Sequence, residues 1–190
     1  MGVVGLLLAA GAGRRMGRPK ALVEGADGTP WVVTSSRVLA TGGCDPVVVV
    51  VGADAATVCG LLTHEPVTIV ESPHWDEGMG ASLREGLAHL LRSGCDADAA
   101  LVHLVDLPDV GADVVARVVH GATPSSLARA AFGTEGPGHP VLLGREHWKG
   151  VLGEADGDRG ARDYLASHDV VAVDCADLAS GADVDTPRQG

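Results

Sequence analysis

Five consecutive valines, Val47–Val51, constrain the fold more than any other segment of this sequence. β-Branched side chains favour extended backbone, and a strand that is apolar at every position has to be covered on both faces. The chain has 190 residues, 46% of them hydrophobic, but only three Trp, one Tyr and one Phe, so its core has to be built from Val, Leu and Ala. These features favour an α/β architecture in a single domain, residues 1–190, with this strand inside the sheet.

Short apolar runs alternate with longer helix-compatible stretches, which is typical of repeated βαβ units. Strands are predicted at Val3–Leu8, Val47–Gly52, Val67–Val70, Ala99–Val105, Ala128–Phe132, Val141–Leu143 and Val170–Val173. Helices are predicted at Pro30–Ala40, Asp54–Leu62, Ala81–Arg92, Ala112–His120 and Gly160–Ser167. Because no linker, repeat or low-complexity block divides the chain, the pattern predicts one doubly wound domain with a mostly parallel sheet.

Composition excludes several classes of protein. The formal net charge of −11 argues against a broad phosphate-neutralising surface, so no nucleic-acid partner is expected. The four cysteines include no CxxC pair, which indicates neither a zinc site nor a disulfide framework. The apolar run Val3–Ala10 lacks the basic start of a signal peptide, and no other apolar run approaches the roughly 20 residues that span a bilayer. We therefore expect a cytoplasmic protein without a membrane partner.

A basic, glycine-rich loop follows the first predicted strand. It contains Arg14, Arg15, Arg18 and Lys20 within seven residues, whereas the chain has only 14 Lys and Arg in total. Small residues let the loop backbone approach a ligand and direct successive N–H groups at an anion, while Arg15 and Lys20 supply full charges to a polyphosphate. Open α/β sheets bind ligands beyond the carboxyl ends of their strands, where this loop lies. The alternative is a tight turn with a solvated basic face.

Two other kinds of phosphate loop fit this stretch less well. A Walker loop needs GxxxxGK followed by Ser or Thr, and residues 13–20 lack both that spacing and the hydroxyl. A dinucleotide fingerprint is closer, but Gly17 comes one residue too late after Gly11 and Gly13. The acidic residue expected after the second strand is also absent, since that strand ends at Gly52-Ala53. An NAD-type site is therefore the weaker interpretation.

Two acidic segments also follow predicted strands. Asp106 comes directly after Ala99–Val105, so its carboxylate is expected at the carboxyl edge of the sheet. In the segment Asp183–Pro187, alternation puts Asp183 and Asp185 on the same side of an extended chain. Mg²⁺ prefers one or two carboxylates, with waters and substrate phosphates as its other ligands, so Asp106 and Asp185 together predict a Mg²⁺ site. The alternative is that Asp106 caps a helix and the later segment is a solvated acidic tail.

The basic loop, LAAGAGRRMGRPK at residues 8–20, resembles the signature LAxGxSxRMGxxK of the MobA-like nucleotidyltransferases. Further segments are similar to the branch that contains the molybdenum cofactor cytidylyltransferases. They are GMGASL at 78–83, DLP at 106–108, GHP at 138–140 with GDRGAR at 157–162, and DVDTP at 183–187. These matches occur in the family's order and cover nearly the whole chain, which makes the resemblance specific.

The resemblance implies a Rossmann-like, Mg²⁺-dependent domain that transfers a nucleotidyl group and releases pyrophosphate. It places the nucleotide against the first residues of the basic loop, Leu8, Ala9, Ala10, Gly11, Ala12 and Gly13. Gly80, Ala81 and Ser82 would lie near the base and ribose, and Asp106 would also contact the nucleotide. Arg15 and Lys20 would grip the phosphates and, with Asp106, make up the catalytic set. Gly138, His139, Pro140, Asp158 and Arg162 would bind the acceptor. Departures from the family pattern at Gly13, where Ser is common, and at Leu107 put base and acceptor preference in doubt more than the chemistry.

Each motif also has a simpler interpretation. Gly78–Gly80 could be a flexible approach to the following helix, and Ser82 a capping hydroxyl. His139 could be a hydrogen-bonded loop histidine, and Asp158 could stabilise the positive end of the next helix. The remaining histidines show no metal-ligand spacing and have no predicted role.

These patterns predict a transferase that moves CMP from CTP to a phosphorylated acceptor, most simply molybdopterin or the molybdenum cofactor. One alternative is a related transferase that uses GTP or another acceptor, such as a sugar phosphate, a methylerythritol phosphate or a phospholactate. Another is a non-catalytic relative that delivers a cofactor to a partner molybdenum oxidoreductase. Pyrophosphate release separates the transferases from a delivery protein.

Overall fold

A computed structural model describes residues 2–133 and 137–184. The strands are β1 (Val3–Leu8), β2 (Cys44–Val51), β3 (Val67–Glu71), β4 (Ala99–Leu104), β5 (Leu127–Ala131), β6 (Pro137–Gly144) and β7 (Val171–Asp174). The α-helices are α1 (Trp31–Thr41), α2 (Ala55–Leu61), α3 (Met79–Arg92), α4 (Ala112–Val119), α5 (Trp148–Glu154) and α6 (Arg162–Ala166). The order is that of an α/β domain, as the alternating apolar runs predict.

The strands form one seven-stranded sheet in the order β3-β2-β1-β4-β6-β5-β7. Strands β1 to β4 pair in parallel, and β5 pairs in parallel with β7. Strand β6 is antiparallel to both of its neighbours, β4 and β5. The mostly parallel sheet is therefore confirmed, and the valine-rich β2 lies inside it, paired on both sides.

Helices cover both faces of the sheet. Residues of α1, α2 and α4 pack with one set of strand side chains, such as Leu7 and Val49. Residues of α3, α5 and α6 pack with the alternate set, such as Leu6 and Val48. This alternation along β1 and β2 gives two apolar layers built mainly of Val, Leu and Ala, which is the doubly wound arrangement expected from the sequence.

Two features differ from the sequence prediction. Helix α5 was not predicted, because Gly150 and Gly153 lower its helix propensity. Gly150 is needed for packing, since a Cβ there would lie 2.5 Å from the Tyr164 ring. Strand β6 begins at Pro137 and not at Val141, so the Gly138-His139-Pro140 segment is part of a strand and not of a loop.

No helix in the described ranges is both long and apolar enough to cross a lipid bilayer.

Candidate active site

The basic loop leaves the sheet at the carboxyl end of β1. Its first residues are held by β2 and the turn after it, because Ala9 N–H donates to the Val50 carbonyl and Ala53 N–H donates to the Ala10 carbonyl, both at 2.9 Å. Gly13 then adopts a φ of +57°, and a Cβ there would overlap the carbonyl oxygen of Arg18. Only glycine permits this close approach, so the loop folds back on itself and brings Lys20 towards the sheet.

Lys20 and Asp106 form an ion pair at this edge. The Lys20 ammonium donates to Oδ2 of Asp106 at 2.7 Å, and the two side chains are only 16% and 18% exposed. The other carboxylate oxygen of Asp106, Oδ1, is buried and accepts no hydrogen bond from the described residues. A buried carboxylate oxygen without a donor is costly, so Oδ1 is suited to a cation or a water that arrives with the substrate.

A cleft of about 530 Å³ surrounds this pair. One wall is the basic loop, and the sheet edge contributes Leu104, Val105 and Asp106. The segment Trp75–Met79, together with Ser82 and Asp158, forms a second wall, which contains the acidic residues Asp76, Glu77 and Asp158 and is called the acidic wall below. The lining of the cleft therefore carries both positive and negative charge. Basic groups suit a polyphosphate, and carboxylates suit a divalent cation.

Arg84 of α3 holds the acidic wall together. Its guanidinium donates to the carbonyl oxygen of Ala155 and lies 3.5 Å from the Glu77 carboxylate and 3.8 Å from Asp156. The segment before α3 is thereby linked to the segment around residues 155–158.

The glycines at the start of α3 make this arrangement possible. A Cβ on Gly78 would lie 2.6 Å from the carbonyl carbon of Gly157, and one on Gly80 would lie 2.7 Å from that of Asp156. Gly78 also has a φ of +115°, which side chains rarely adopt. The Gly78-Met79-Gly80 motif is therefore a packing contact between α3 and residues 156–158, and not a flexible approach to the helix.

The C-terminal segment returns to the same edge. The Val184 amide donates to the backbone carbonyl of Asp106 at 3.0 Å, which places Asp183 and Val184 beside the Lys20–Asp106 pair. Asp185, the second predicted metal ligand, lies outside the described residues. Among those that are described, no cluster of three or more His, Cys, Asp or Glu side chains has the arrangement of a metal site.

A second cavity of about 170 Å³ adjoins the cleft, with Leu8 and Met79 in the walls of both. Because β6 is antiparallel, its first residues lie at the carboxyl edge of the parallel strands, and this brings Gly138 and His139 into the cavity wall. The pKa of His139 is lowered to about 4, mainly by burial, while the nearby Asp106 carboxylate raises the pKa and the Arg162 charge lowers it by smaller amounts. The imidazole is therefore neutral at pH 7, able to accept or donate a hydrogen bond.

The family profile of the MobA-like NTP transferase domain matches residues 5–172. The chain belongs to the MobA-like NTP transferase family. The resemblance to the MobA-like nucleotidyltransferases, inferred first from the basic loop, is thus confirmed.

Two curated relatives share long matches with this MobA-like chain. "Nicotine blue oxidoreductase" from Paenarthrobacter nicotinovorans is 37% identical over 98% of this chain and 94% of its own length. "Molybdenum cofactor guanylyltransferase" from Rhodobacter capsulatus is 33% identical over 80% of this chain and 68% of its own.

Solved structures agree with the fold. Rv0371c from Mycobacterium tuberculosis H37Rv superposes with a TM-score of 0.80 at 27% identity, covering 98% of this chain and 94% of that one. A manganese complex of Rv0371c superposes with a TM-score of 0.73 at 25% identity, covering 97% and 94%. That neighbour holds a divalent metal ion, which is consistent with a divalent cation site in the MobA-like fold.

The predicted site residues of this MobA-like domain fall into three groups: those that line the cleft, those that line the second cavity, and those that line neither. The cleft is lined by Leu8, Ala10, Gly11, Ala12, Gly13, Arg15, Lys20, Ser82, Asp106 and Asp158, and the second cavity by Gly138, His139 and Arg162. Asp158, predicted with the acceptor, thus lies on the cleft wall. Ala9, Gly80, Ala81 and Pro140 are buried and line neither space.

Sequence reasoning missed several lining residues. Trp75 and Met79 line the cleft. The available signal was the glycine motif at 78–80, which contains Met79 and begins three residues after Trp75. Arg129 lines the second cavity from β5. Its only signal was a single charged residue within the apolar run Leu127–Phe132, which matched no motif.

Proposed function

We propose that this protein transfers a nucleotidyl group, CMP from CTP, to the phosphate of a molybdopterin-type acceptor and releases pyrophosphate. The observation that carries the proposal is the partly buried Lys20–Asp106 pair in the wall of the basic cleft, which the second cavity adjoins at Leu8 and Met79. A nucleoside triphosphate in the cleft would then lie next to an acceptor in the adjoining cavity. Membership of the MobA-like NTP transferase family supports the reaction class.

The chain's own groups suit this chemistry. An acceptor phosphate is already deprotonated at neutral pH, so its attack on the α-phosphorus needs positioning and charge neutralisation more than a strong base. Arg15 and Lys20 neutralise the phosphates, and the backbone N–H groups of residues 10–13 hold them. Asp106 orients the Lys20 ammonium through the 2.7 Å contact.

A Mg²⁺ ion fits the donors at this edge. Oδ1 of Asp106 is buried without a hydrogen-bond donor among the described residues, and a carboxylate oxygen is a preferred ligand of Mg²⁺. We propose that Asp106 and Asp185 hold the ion. When bound, it would neutralise charge on the triphosphate and on the leaving pyrophosphate.

The choice of nucleotide rests on the resemblance to the cytidylyl branch, and the relative named as a guanylyltransferase makes GTP the main competitor. The test measures pyrophosphate release with CTP, GTP, UTP or ATP, Mg²⁺ and molybdopterin. We expect CTP to give the highest rate. Faster release with GTP would assign guanylyl transfer, and no release with any nucleotide would reject the transferase. Sugar phosphate, methylerythritol phosphate and phospholactate acceptors complete the panel.

A second candidate function is that of an oxidoreductase. It is suggested by the relative named "Nicotine blue oxidoreductase", because the 37% identity over 98% of this chain includes the residues of the whole site. In this case the cleft would hold a reduced nicotinamide dinucleotide, and the second cavity would hold part of nicotine blue. The loop argues against it, since its glycine spacing departs from the dinucleotide fingerprint. Oxidation of NADH or NADPH with nicotine blue, without any pyrophosphate release from nucleoside triphosphates, would favour the oxidoreductase over the transferase.

A further inference from the structure

The second cavity has a charge unlike that of the rest of the molecule. The protein has a formal net charge of −11, yet three arginines, Arg129, Arg159 and Arg162, line this cavity, and none of its described lining residues is Asp or Glu. Arg159 is paired with Asp163 at 3.1 Å. Within residues 2–133 and 137–184, neither Arg129 nor Arg162 forms an ion pair with an acidic side chain. Arg129 and Arg162 therefore give the described lining of the cavity a net positive charge.

Arg129 lies in the strand part of the cavity wall. It is directly opposite Val141 on the neighbouring β6, and both residues line the cavity together with His139. Its Nε atom is buried and has no hydrogen-bond partner in the described part of the chain. A buried guanidinium donor without a partner is unfavourable, and a ligand oxygen that accepted from it would remove that cost.

The remaining walls are apolar or neutral. They include Leu83, Val102, Leu143 and Leu165, with His139 as the neutral hydrogen-bonding group. At about 170 Å³ the cavity is smaller than the roughly 300–1,000 Å³ of sites that enclose a whole drug-sized ligand. It therefore has room for one part of a substrate, a compact apolar group with an anionic substituent.

We propose that Arg129, with Arg162 at the cavity mouth, forms a subsite for an anionic group attached to a compact apolar part of the acceptor. This rests on the proposed function in one respect, because it is the transferase reaction that makes the cavity's occupant an acceptor. A guanidinium donates two parallel hydrogen bonds to a phosphate or carboxylate, so the subsite recognises an oxyanion and excludes the uncharged analogue. The shared walls at Leu8 and Met79 place the occupant next to the cleft.

Binding of phenyl phosphate tests the subsite, with phenol as its uncharged counterpart. Calorimetry is done on the wild type and on the Arg129→Gln, Arg162→Gln and Arg129→Lys variants. The matched control is Arg92→Gln, which removes an exposed arginine that is paired with Glu85 and lines neither space. We expect Arg129→Gln to weaken phenyl phosphate binding about tenfold or more, Arg162→Gln to weaken it less, and Arg129→Lys to restore part of it. Arg92→Gln should bind like the wild type, and phenol should not distinguish the variants.

A second titration separates this subsite from the cleft. Saturating CTP with Mg²⁺ should leave phenyl phosphate binding in place, because the two ligands occupy adjoining spaces. Loss of binding in the presence of CTP, or equal affinity in wild type, Arg129→Gln and Arg162→Gln, would overturn the subsite. Circular dichroism confirms that each variant is folded.

Failure of the two proposals gives different results. Arginine-dependent phenyl phosphate binding without pyrophosphate release from any nucleotide would reject the transferase and retain the anion subsite. Pyrophosphate release whose KM for the acceptor is unchanged in Arg129→Gln and Arg162→Gln would retain the transferase and reject the subsite.

Discussion

The Lys20 ammonium lies 2.7 Å from Oδ2 of Asp106, which ties the loop after β1 to the end of β4. The two residues are 86 positions apart in sequence, and both side chains are more than four-fifths buried. Because a partly buried pair is screened by water less than a surface pair, removing one partner is expected to cost more than breaking a surface ion pair. The pair therefore couples the geometry of the basic loop to the acidic residue that we propose as a metal ligand.

Replacing Asp106 with Asn should reduce turnover by about a hundredfold or more, because the Lys20 partner and one proposed metal ligand are lost together. The measurement is pyrophosphate release under saturating nucleotide. Asp96→Asn is the control, since the Asp96 side chain is fully exposed and lies away from the cleft. Near-native turnover of Asp106→Asn at limiting Mg²⁺ would show that the metal assignment is wrong.

Replacing Arg15 or Lys20 with Ala should weaken binding of the triphosphate more than binding of the nucleoside, because both residues line the cleft on its basic side. Arg18→Ala is the matched control, since Arg18 is an exposed arginine of the same loop that does not line the cleft. We expect at least about tenfold weaker triphosphate binding for Lys20→Ala, measured by calorimetry. Equal losses for Arg15, Arg18 and Lys20 variants would indicate a general charge effect.

Periodicity and local motifs predicted much of this structure because they act over short distances. Val47–Val51 required burial on both faces, which placed β2 inside the sheet, and the small residues around Gly13 predicted a tight loop at the carboxyl edge of β1. The position of Asp106 after an apolar strand likewise placed its carboxylate at that edge. These inferences need only the backbone geometry of a strand and its loop.

Long-range contacts could not be predicted in the same way. Arg129 joins the second cavity only because β5 pairs with an antiparallel β6, and the sequence does not reveal that strand order. The close contact of Gly80 with the backbone of Asp156, 76 residues later, was likewise not predicted from the motif. A glycine motif shows that something approaches closely, but it does not show whether a ligand or the chain itself does so.

Gly80→Ala should destabilise the fold by about 1–3 kcal/mol, because its Cβ would lie within 2.9 Å of three backbone atoms of Asp156 and force α3 away from residues 156–158. The matched control is Gly153→Ala in α5, where no atom lies within 4 Å of the added Cβ. That substitution should be neutral or stabilise the protein by up to about 1 kcal/mol. Urea unfolding measures both, and equal stability of the two variants would contradict the packing role of Gly80.

His103 should make the protein less stable in mild acid. Its side chain is completely buried in β4 and has no hydrogen-bond partner in the described ranges, and burial lowers its pKa to about 3, with a smaller contribution from His139. The unfolded chain takes up a proton near the ordinary pKa of about 6.5, whereas the folded chain does not, so stability is fully present above that pH and is lost as the pH falls towards 3. Between pH 7 and pH 5, we expect the free energy of unfolding of His103→Leu to fall by about 2 kcal/mol less than that of the wild type, measured by urea unfolding at each pH.

The control is the exposed His120, whose change to Gln should leave the wild-type pH dependence intact. Some dependence should remain in His103→Leu, because the pKa of His139 is also lowered, to about 4. Parallel pH profiles for wild type and His103→Leu would show that the buried imidazole is protonated or hydrated in the folded protein.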